Sequence, residues 1–462
     1  MMAVSTAGET TALGPRRLPE GFQAADSATL AVVAIVALLC VPARMILRGL
    51  PLSVTPADVV GLALGLFWLF AQSTTTLGAA KGRNPARTGL FLYLAASLAV
   101  YGHAAFGYLE KDELNLMDHA LVVLVGGIGL GLAVCDGVAN RRRLDLVMRG
   151  MVVAGVVVSI VGGFQSILEF DLTAYMALPF LQANGVEGIT NVLGRDDLNR
   201  VAATLGHPIE FAVVSAMILP VAVHYALHAR DRGSSPLRWW FCTAMIAMGL
   251  VYSVSRTGVI AVATVGVVLM AGWPARRRLR AIGVVLGFLV MVQIVMPGVL
   301  GTFYRLFAGF GSDDSIRYRV HDYPNALEEF LRHPWLGRGL ATWYAPKHQV
   351  FDNQYLLTLV ESGIVGVLAF LVLVGMGVYA AQRARHLTAD PVLRDLALSM
   401  TAPLLVPVVC SITFDQLSYP AATGLMFVQI GAAGALLRVA RQENAVAGKS
   451  LSPRTPEVRP YS

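Results

Sequence analysis

The chain has 462 residues, 56% of them hydrophobic and only 14% charged, where soluble proteins carry about 25% charged residues, which excludes an ordinary soluble domain and points to a polytopic membrane protein. The net charge of +7 would suggest nucleic acid in a soluble chain, but basic connectors on one side of a membrane account for it, and nucleic acid is excluded as a partner. The four cysteines (Cys40, Cys135, Cys242, Cys410) lie in or beside apolar runs without CxxC or Cys/His spacing, so they read as small core residues and not as disulfides or metal ligands.

Residues 1–27 are polar, contain Pro and Gly, and have no apolar segment of signal-peptide type. They are expected to form a disordered cytoplasmic tail, with the first apolar run as a membrane anchor. A single transmembrane domain over 28–440 follows, and a C-terminal cytoplasmic tail over 441–462. A spanning helix needs about 20 mainly apolar residues. Such runs fall near 28–47, 57–76, 88–109, 117–139, 147–168, 206–228, 238–254, 256–273, 280–300, 356–381, 395–413 and 420–440. The expectation is therefore an all-α polytopic protein of about 12 transmembrane helices with both termini on one side.

Basic residues orient the set. The connectors "KGRNPAR", "NRRRLDLVMR", "ARDRGSSPLR", "PARRRLR" and "QRARHLTADPVLR" fall on the same side as the two tails. Roughly two thirds of the Lys and Arg lie there, which makes that side cytoplasmic. The opposite side carries two longer connectors, 169–205 and 301–355, rich in aromatic residues, Arg and Asp, and expected to be ordered, with short helices. No internal repeat is visible. Nor are there the paired interrupted segments that an inverted-repeat transporter would show.

Charges on the outer side carry the chemistry. In the first long connector "LNRVAATLGHPIEF" puts Arg200 about one and a half turns before the sixth span, with His207 and Pro208 at its start. A helix N-terminus beside an arginine is a ready anion site. Arg200 could instead pair with Asp196 or Asp197, and His207 reads more as a structural cap than a catalyst. "YSVSRTGVIA" places Arg256 at the outer boundary of the seventh and eighth spans, with no carboxylate beside it in sequence. Snorkelling at a span end is the alternative, but this is the wrong face for a topology arginine. In the second connector, Ala326, Leu327, Phe330 and Leu331 recur at helical spacing after Tyr323. They mark a short amphipathic helix, with Arg317 and Arg319 preceding it and Pro334 ending it. Asp352 and Asn353 open the tenth span, Asp352 as a base or an N-cap. Glu361, nine residues further in, is a functional candidate by depth or a structural acceptor for a neighbouring helix.

Three arginines and an aspartate from separate stretches thus reach one surface. Guanidinium forks suit diphosphate oxygens, fixed cations stabilise a departing diphosphate, and an aspartate can take a proton from an incoming hydroxyl. Those parts describe glycosyl transfer from a lipid diphosphate. With no DxD or His/carboxylate pattern on this face, neither metal nor cofactor is expected.

The pieces "RVAATLGHPIEFA" (200–212), "YSVSRTGVIA" (252–261), "RVHDYPNALEEFLRHPWLGRG" (319–339) and "DNQYLLTLVESGIVGVLAFL" (352–371), in this order, resemble the O-antigen ligase/polymerase superfamily, the Wzy/WaaL-like bacterial membrane glycosyltransferases. The resemblance implies a GT-C-like helical fold and an undecaprenyl-diphosphate-linked oligosaccharide as donor and acceptor, reached among membrane lipids from the outer leaflet. It also implies diphosphate contacts from Arg200, Arg256 and Arg319, a catalytic position at Asp352, and other polysaccharide-assembly proteins as partners. Lipopolysaccharide ligases of this type show His-Asn where this chain has Asp-Asn. His348 would substitute only from a helical loop. The departure favours a polymerase of exopolysaccharide, capsule or O-antigen repeat units over a ligase acting on lipid A-core or protein. A lipid-linked saccharide transporter is the third alternative, and it would need charges at mid-membrane depth.

Overall fold

The computed structural model describes residues 26–50, 52–73, 82–107, 109–184, 192–195, 198–308, 314–345 and 347–451, with the backbone alone at 192–195, 198–199, 306–308, 314–322 and 446–451. The described chain forms α1 (Ser27–Cys40), α2 (Pro56–Ser73), α3 (Pro85–Ala105), α4 (Lys111–Gly137), α5 (Arg141–Ile167), α6 (Pro208–Leu227) and α7 (Pro236–Ser253). It continues with α8 (Arg256–Gly272), α9 (Ala275–Val295), α10 (Val299–Ala308), α11 (Asp314–Arg332), α12 (Gln354–Leu387), α13 (Pro391–Cys410) and α14 (Pro420–Leu451). Six of these begin on proline, where a missing N–H costs nothing because the first-turn amides have no helical partner.

Among the described residues nine helices are long and apolar enough to cross a membrane, and α1 and α8 are shorter apolar helices. Each expected span falls on a helix. The first differs most: α1 stops at Cys40, and Met45–Leu47 instead forms a strand, β1, paired antiparallel with β2 (Leu181–Ala183). Pro42 follows the helix end, and its lack of an N–H ends the ladder. At the other end α14 runs on to Leu451, into the segment assigned to a tail, while residues 1–25 and 452–462 lie outside the described residues. Asp26 caps α1, its carboxylate accepting from Thr29 N at 3.0 Å.

The connector after α5 contains a 3-10 turn at Leu172–Tyr175 and strands in place of the expected short helices, β2 and the hairpin β3 (Val192–Arg195) with β4 (Leu198–Val201). Arg200 is therefore a strand residue. The connector after α9 holds α10 and α11, and α11 begins before Arg317 and Arg319, which lie within its first turns and not ahead of it.

Windows of α6 and α14 are 83% buried and the window of α9 is 6% buried, so α6 and α14 make the centre of the bundle and α9 stands at its edge. At the end opposite Arg200 the bundle is tied by charge. Asp395 of α13 meets His224 Nδ1 at 2.7 Å, His228 Nε2 at 3.2 Å and Arg277 Nη1 at 2.6 Å. One carboxylate thus joins the last turn of α6, the first turn of α9 and the start of α13.

Candidate active site

The starts of α6, α8, α12 and α14 gather around the 411–419 connector. Gln354 N donates to Ser411 O at 2.8 Å, and Leu417 N donates to Gln354 Oε1 at 2.7 Å. Thr257 and Thr413 hydroxyls are 3.2 Å apart. The Glu210 carboxylate takes Gly206 N at 2.9 Å on one oxygen, and Ala421 N at 2.9 Å and Ala422 N at 3.2 Å on the other. It thereby bridges the start of α6 to the start of α14. Four positive helix ends thus open toward one region, a setting that favours anions.

Arg200 is carried there by β4. Its Nε donates to Ser253 O at 3.4 Å, at the last residue of α7. Two residues join α7 to α8: Val254 adopts the left-handed region (φ 42°, ψ 56°), and Ser255 caps α8 by accepting from Gly258 N. A β-branched residue in that region is strained, and the strain turns the chain tightly enough to put Arg256 at the first position of α8. A second left-handed residue, Ala203 (φ 57°), lies between β4 and α6. The buried Gln165 holds it, accepting from Ala203 N at 2.8 Å and donating to Ala203 O at 3.1 Å.

His207 caps α6, its Nδ1 accepting from Ile209 N at 3.2 Å, as the capping alternative required. Burial and the Arg200 cation push its imidazole down to about 4, against the opposing charge of Asp352. The cap of α12 is Asn353, whose side-chain oxygen accepts from Tyr355 N at 2.9 Å and Leu356 N at 3.3 Å. Capping by Asp352 is thereby overturned. The charge of Asp352 acts instead on His207, Asp415 and Tyr419. Burial first, and Asp352 with it, push Asp415 up to about 7 against hydrogen bonds from its own backbone and Ser418.

Glu361 accepts from Trp343 N at 3.3 Å, so its partner is the overlying loop, not a neighbouring helix. His348 is stacked on Trp343 at 4.2 Å between centroids, and Trp343 on Phe351 at 5.2 Å. The loop itself is pinned to the start of α4: Arg338 Nη2 meets Glu113 Oε1 at 2.7 Å, and Lys347 Nζ meets Glu113 and Glu110 at 2.9 Å each.

Arg200, His207 and Asp352 are therefore close enough for their charges to act on one another, and Arg256 follows three residues after Ser253, whose carbonyl Arg200 reaches. The side chains of Arg317 and Arg319 and the pairing with Asp196 or Asp197 lie outside the described residues. Sequence reasoning missed Asp415, although a carboxylate in the short connector "FDQLSYP" between two apolar spans was a usable signal. It also missed Glu210, three residues after its helix cap, a position from which a glutamate regularly reaches back.

Residues 241–371 match the family model described as O-antigen ligase, Wzy_C. That domain supports membership of the O-antigen ligase/Wzy superfamily. The matched stretch takes in Arg256, Arg317, Arg319, Asp352, Asn353 and Glu361 and leaves Arg200 and His207 upstream. Among curated proteins no match is found. Members of the O-antigen ligase superfamily are membrane glycosyltransferase-like enzymes acting on lipid-linked glycans, a chemistry that agrees with a carboxylate set among helix N-termini and arginines.

Proposed function

We propose that this chain is a Wzy-type polymerase that joins undecaprenyl-diphosphate-linked repeat units at the outer leaflet of the inner membrane, with both termini cytoplasmic and α1 to α9 and α12 to α14 spanning. The observation that carries it is the meeting of Arg200, His207 and Asp352 at the starts of α6 and α12, with Asn353 taking the capping role.

Asp352 accepts the proton of an acceptor sugar hydroxyl. The hydroxyl oxygen attacks the anomeric carbon of a second lipid-linked chain, and the new C–O bond forms as the bond to the diphosphate breaks. The electron pair leaves on the diphosphate, which Arg200 and Arg256, with Arg319 from α11, neutralise through paired N–H···O bonds. Direct displacement inverts the anomeric centre. Neutral His207 holds the start of α6 in place and adds no second positive charge beside Arg200. Fixed cations of this kind act where charge develops, and losing one costs on the order of 10²–10³ in rate.

Asp352 in place of the histidine of lipopolysaccharide ligases favours the polymerase over a ligase. Sizing the lipid-linked saccharides of a strain lacking the protein separates the two. Single repeat units that never chain are the expected result, and long chains stranded on undecaprenyl diphosphate would make the protein a ligase.

A further inference from the structure

Transfer between two lipid-linked glycans needs a place for the acceptor that is not the place of the diphosphate. A cavity of about 480 Å³ lies under the 340–351 loop, between α3, α4, α12 and α14. That volume is within the roughly 300–1,000 Å³ of small-ligand sites. Its walls include Phe351 and Gln354, the two residues that flank Asp352 and Asn353. Arg200 and Arg256 are not among its lining residues. Asp352 is not among them either; it lies beside the cavity, next to the lining residue Phe351, and its charge reaches Asp415 in the wall.

The composition of the walls is selective. Among the described residues the lining contains no Lys or Arg, but three carboxylates, Asp58, Glu361 and Asp415. Asp58 is engaged by Thr55, whose N and Oγ1 lie 2.9 and 2.6 Å away, and Glu361 is engaged by the Trp343 amide. Asp415 sits nearest the chemistry, since it also feels the charge of Asp352. An anion placed here would find no cation to pair with in a poorly hydrated site, which is unfavourable. Hydroxyl groups find acceptors instead. Trp343, also in the lining, is fixed in place by its stacking on His348 and Phe351 and by its Nε1 bond to Gln349 O at 2.7 Å, which holds the wall rigid. The Nδ1 atom of His119, also in the lining, is buried without a hydrogen-bond partner, a polar atom that a ligand hydroxyl would satisfy.

We propose that this cavity receives the terminal sugar of the acceptor, that it selects a sugar carrying no negative charge, and that Asp415 binds one of its hydroxyls beside Asp352. This rests on the polymerase function above. Carboxylate or phosphate groups of the repeat unit then lie inward from its reacting end.

The test uses the full-length protein in lipid nanodiscs and the repeat-unit saccharide released by mild acid from the lipid-linked pool of the deletion strain. Freed of diphosphate and lipid, it has no claim on the arginines. Ala345, exposed on the cavity rim, is changed to cysteine and labelled with a neutral maleimide. The expected result is that the saccharide slows labelling at least fivefold, and that the same saccharide oxidised at its primary hydroxyls to carboxylates does not. Protection should persist in Arg256→Lys and vanish in Asp415→Asn and in Thr423→Trp, which fills the cavity without changing its charge. Unprotected labelling rates show that each variant is folded. Absence of protection in a protein that still polymerises, or equal protection by the oxidised saccharide, would overturn the proposal. Failure of the polymerase function itself shows separately, as long chains in the deletion strain.

Discussion

Gly337 packs on the backbone just before Gly363, and Gly363 packs on the backbone just before Gly337. A Cβ on Gly337 would lie 2.3 Å from the Glu361 carbonyl carbon, and one on Gly363 would lie 2.4 Å from the Trp335 carbonyl. Gly363 (φ 61°, ψ −162°) breaks α12 at this point. The groups an unbroken helix would pair with each other pair with the loop instead: Ile364 N and Val365 N donate to Pro334 O and Trp335 O, while Arg338 N and Gly339 N donate to Val360 O and Glu361 O. The loop that roofs the cavity is thus spliced into the helix that begins two residues after Asp352.

Alanine at either glycine meets both a backbone clash and a conformation open almost only to glycine, costing about 2 kcal/mol or more. Gly337→Ala and Gly363→Ala should each lower the thermal unfolding midpoint of the solubilised protein and abolish polymer formation. A wild-type midpoint in both would contradict the splice.

Glu210 accepts from three amides, Gly206 N ahead of α6 and the buried Ala421 N and Ala422 N at the start of α14. Glu210→Ala strands them, and the cost should be on the order of 3 kcal/mol. Glu210→Gln, which keeps an oxygen acceptor, should recover part of it. Equal losses in the two variants, measured by denaturant titration, would show that acceptor bonding is not what the residue supplies.

His207 and Asp415 set opposite pH trends. His207 has a folded value near 4, below the ordinary 6.5. Its contribution to stability is present above pH 6.5 and is lost as pH falls toward 4. Asp415 has a folded value near 7, above the ordinary 3.8, so its contribution is present below 3.8 and is lost as pH rises through 7. In wild type the two trends offset one another between pH 4 and 6.5, so Asp415→Asn should leave the His207 trend alone, with unfolding midpoints that rise with pH over that range, and should raise stability at pH 8 relative to wild type. A pH profile parallel to wild type would place the titration elsewhere.

At the far end of the bundle, Asp395→Ala leaves Arg277 and two histidines without their shared carboxylate. Breaking a buried pair in this way costs about 3–5 kcal/mol. Thermal unfolding should fall well below that of Asp352→Ala, which removes a side chain from the site without touching this tie. Matching midpoints would contradict its structural role.

Much of the helical layout was legible because apolar runs of spanning length leave few alternatives, and Arg256 and Asn353 stood out as polar residues at span ends. The strands around Arg200 were not legible, since a short hairpin in a long connector gives no sustained period. The break at Gly363 hides inside an uninterrupted apolar run, and it is made by hydrogen bonds to a loop some 25 residues away in sequence, which no local pattern records. Asp352 and Asn353 show the limit of adjacency: both are good caps, and only the geometry assigns the cap to Asn353.

The central claim is that Asp352 takes the acceptor proton beside an arginine-held diphosphate. It is tested most directly by complementing the deletion strain with wild type, Asp352→Asn and Arg256→Lys, and sizing both polymer and lipid-linked saccharides. With each protein present at wild-type level in the membrane, the account predicts full polymer from wild type. It predicts single repeat units with Asp352→Asn, and output reduced on the order of 10²-fold with Arg256→Lys, whose point charge cannot reproduce the paired fork. Full-length polymer from Asp352→Asn would contradict it.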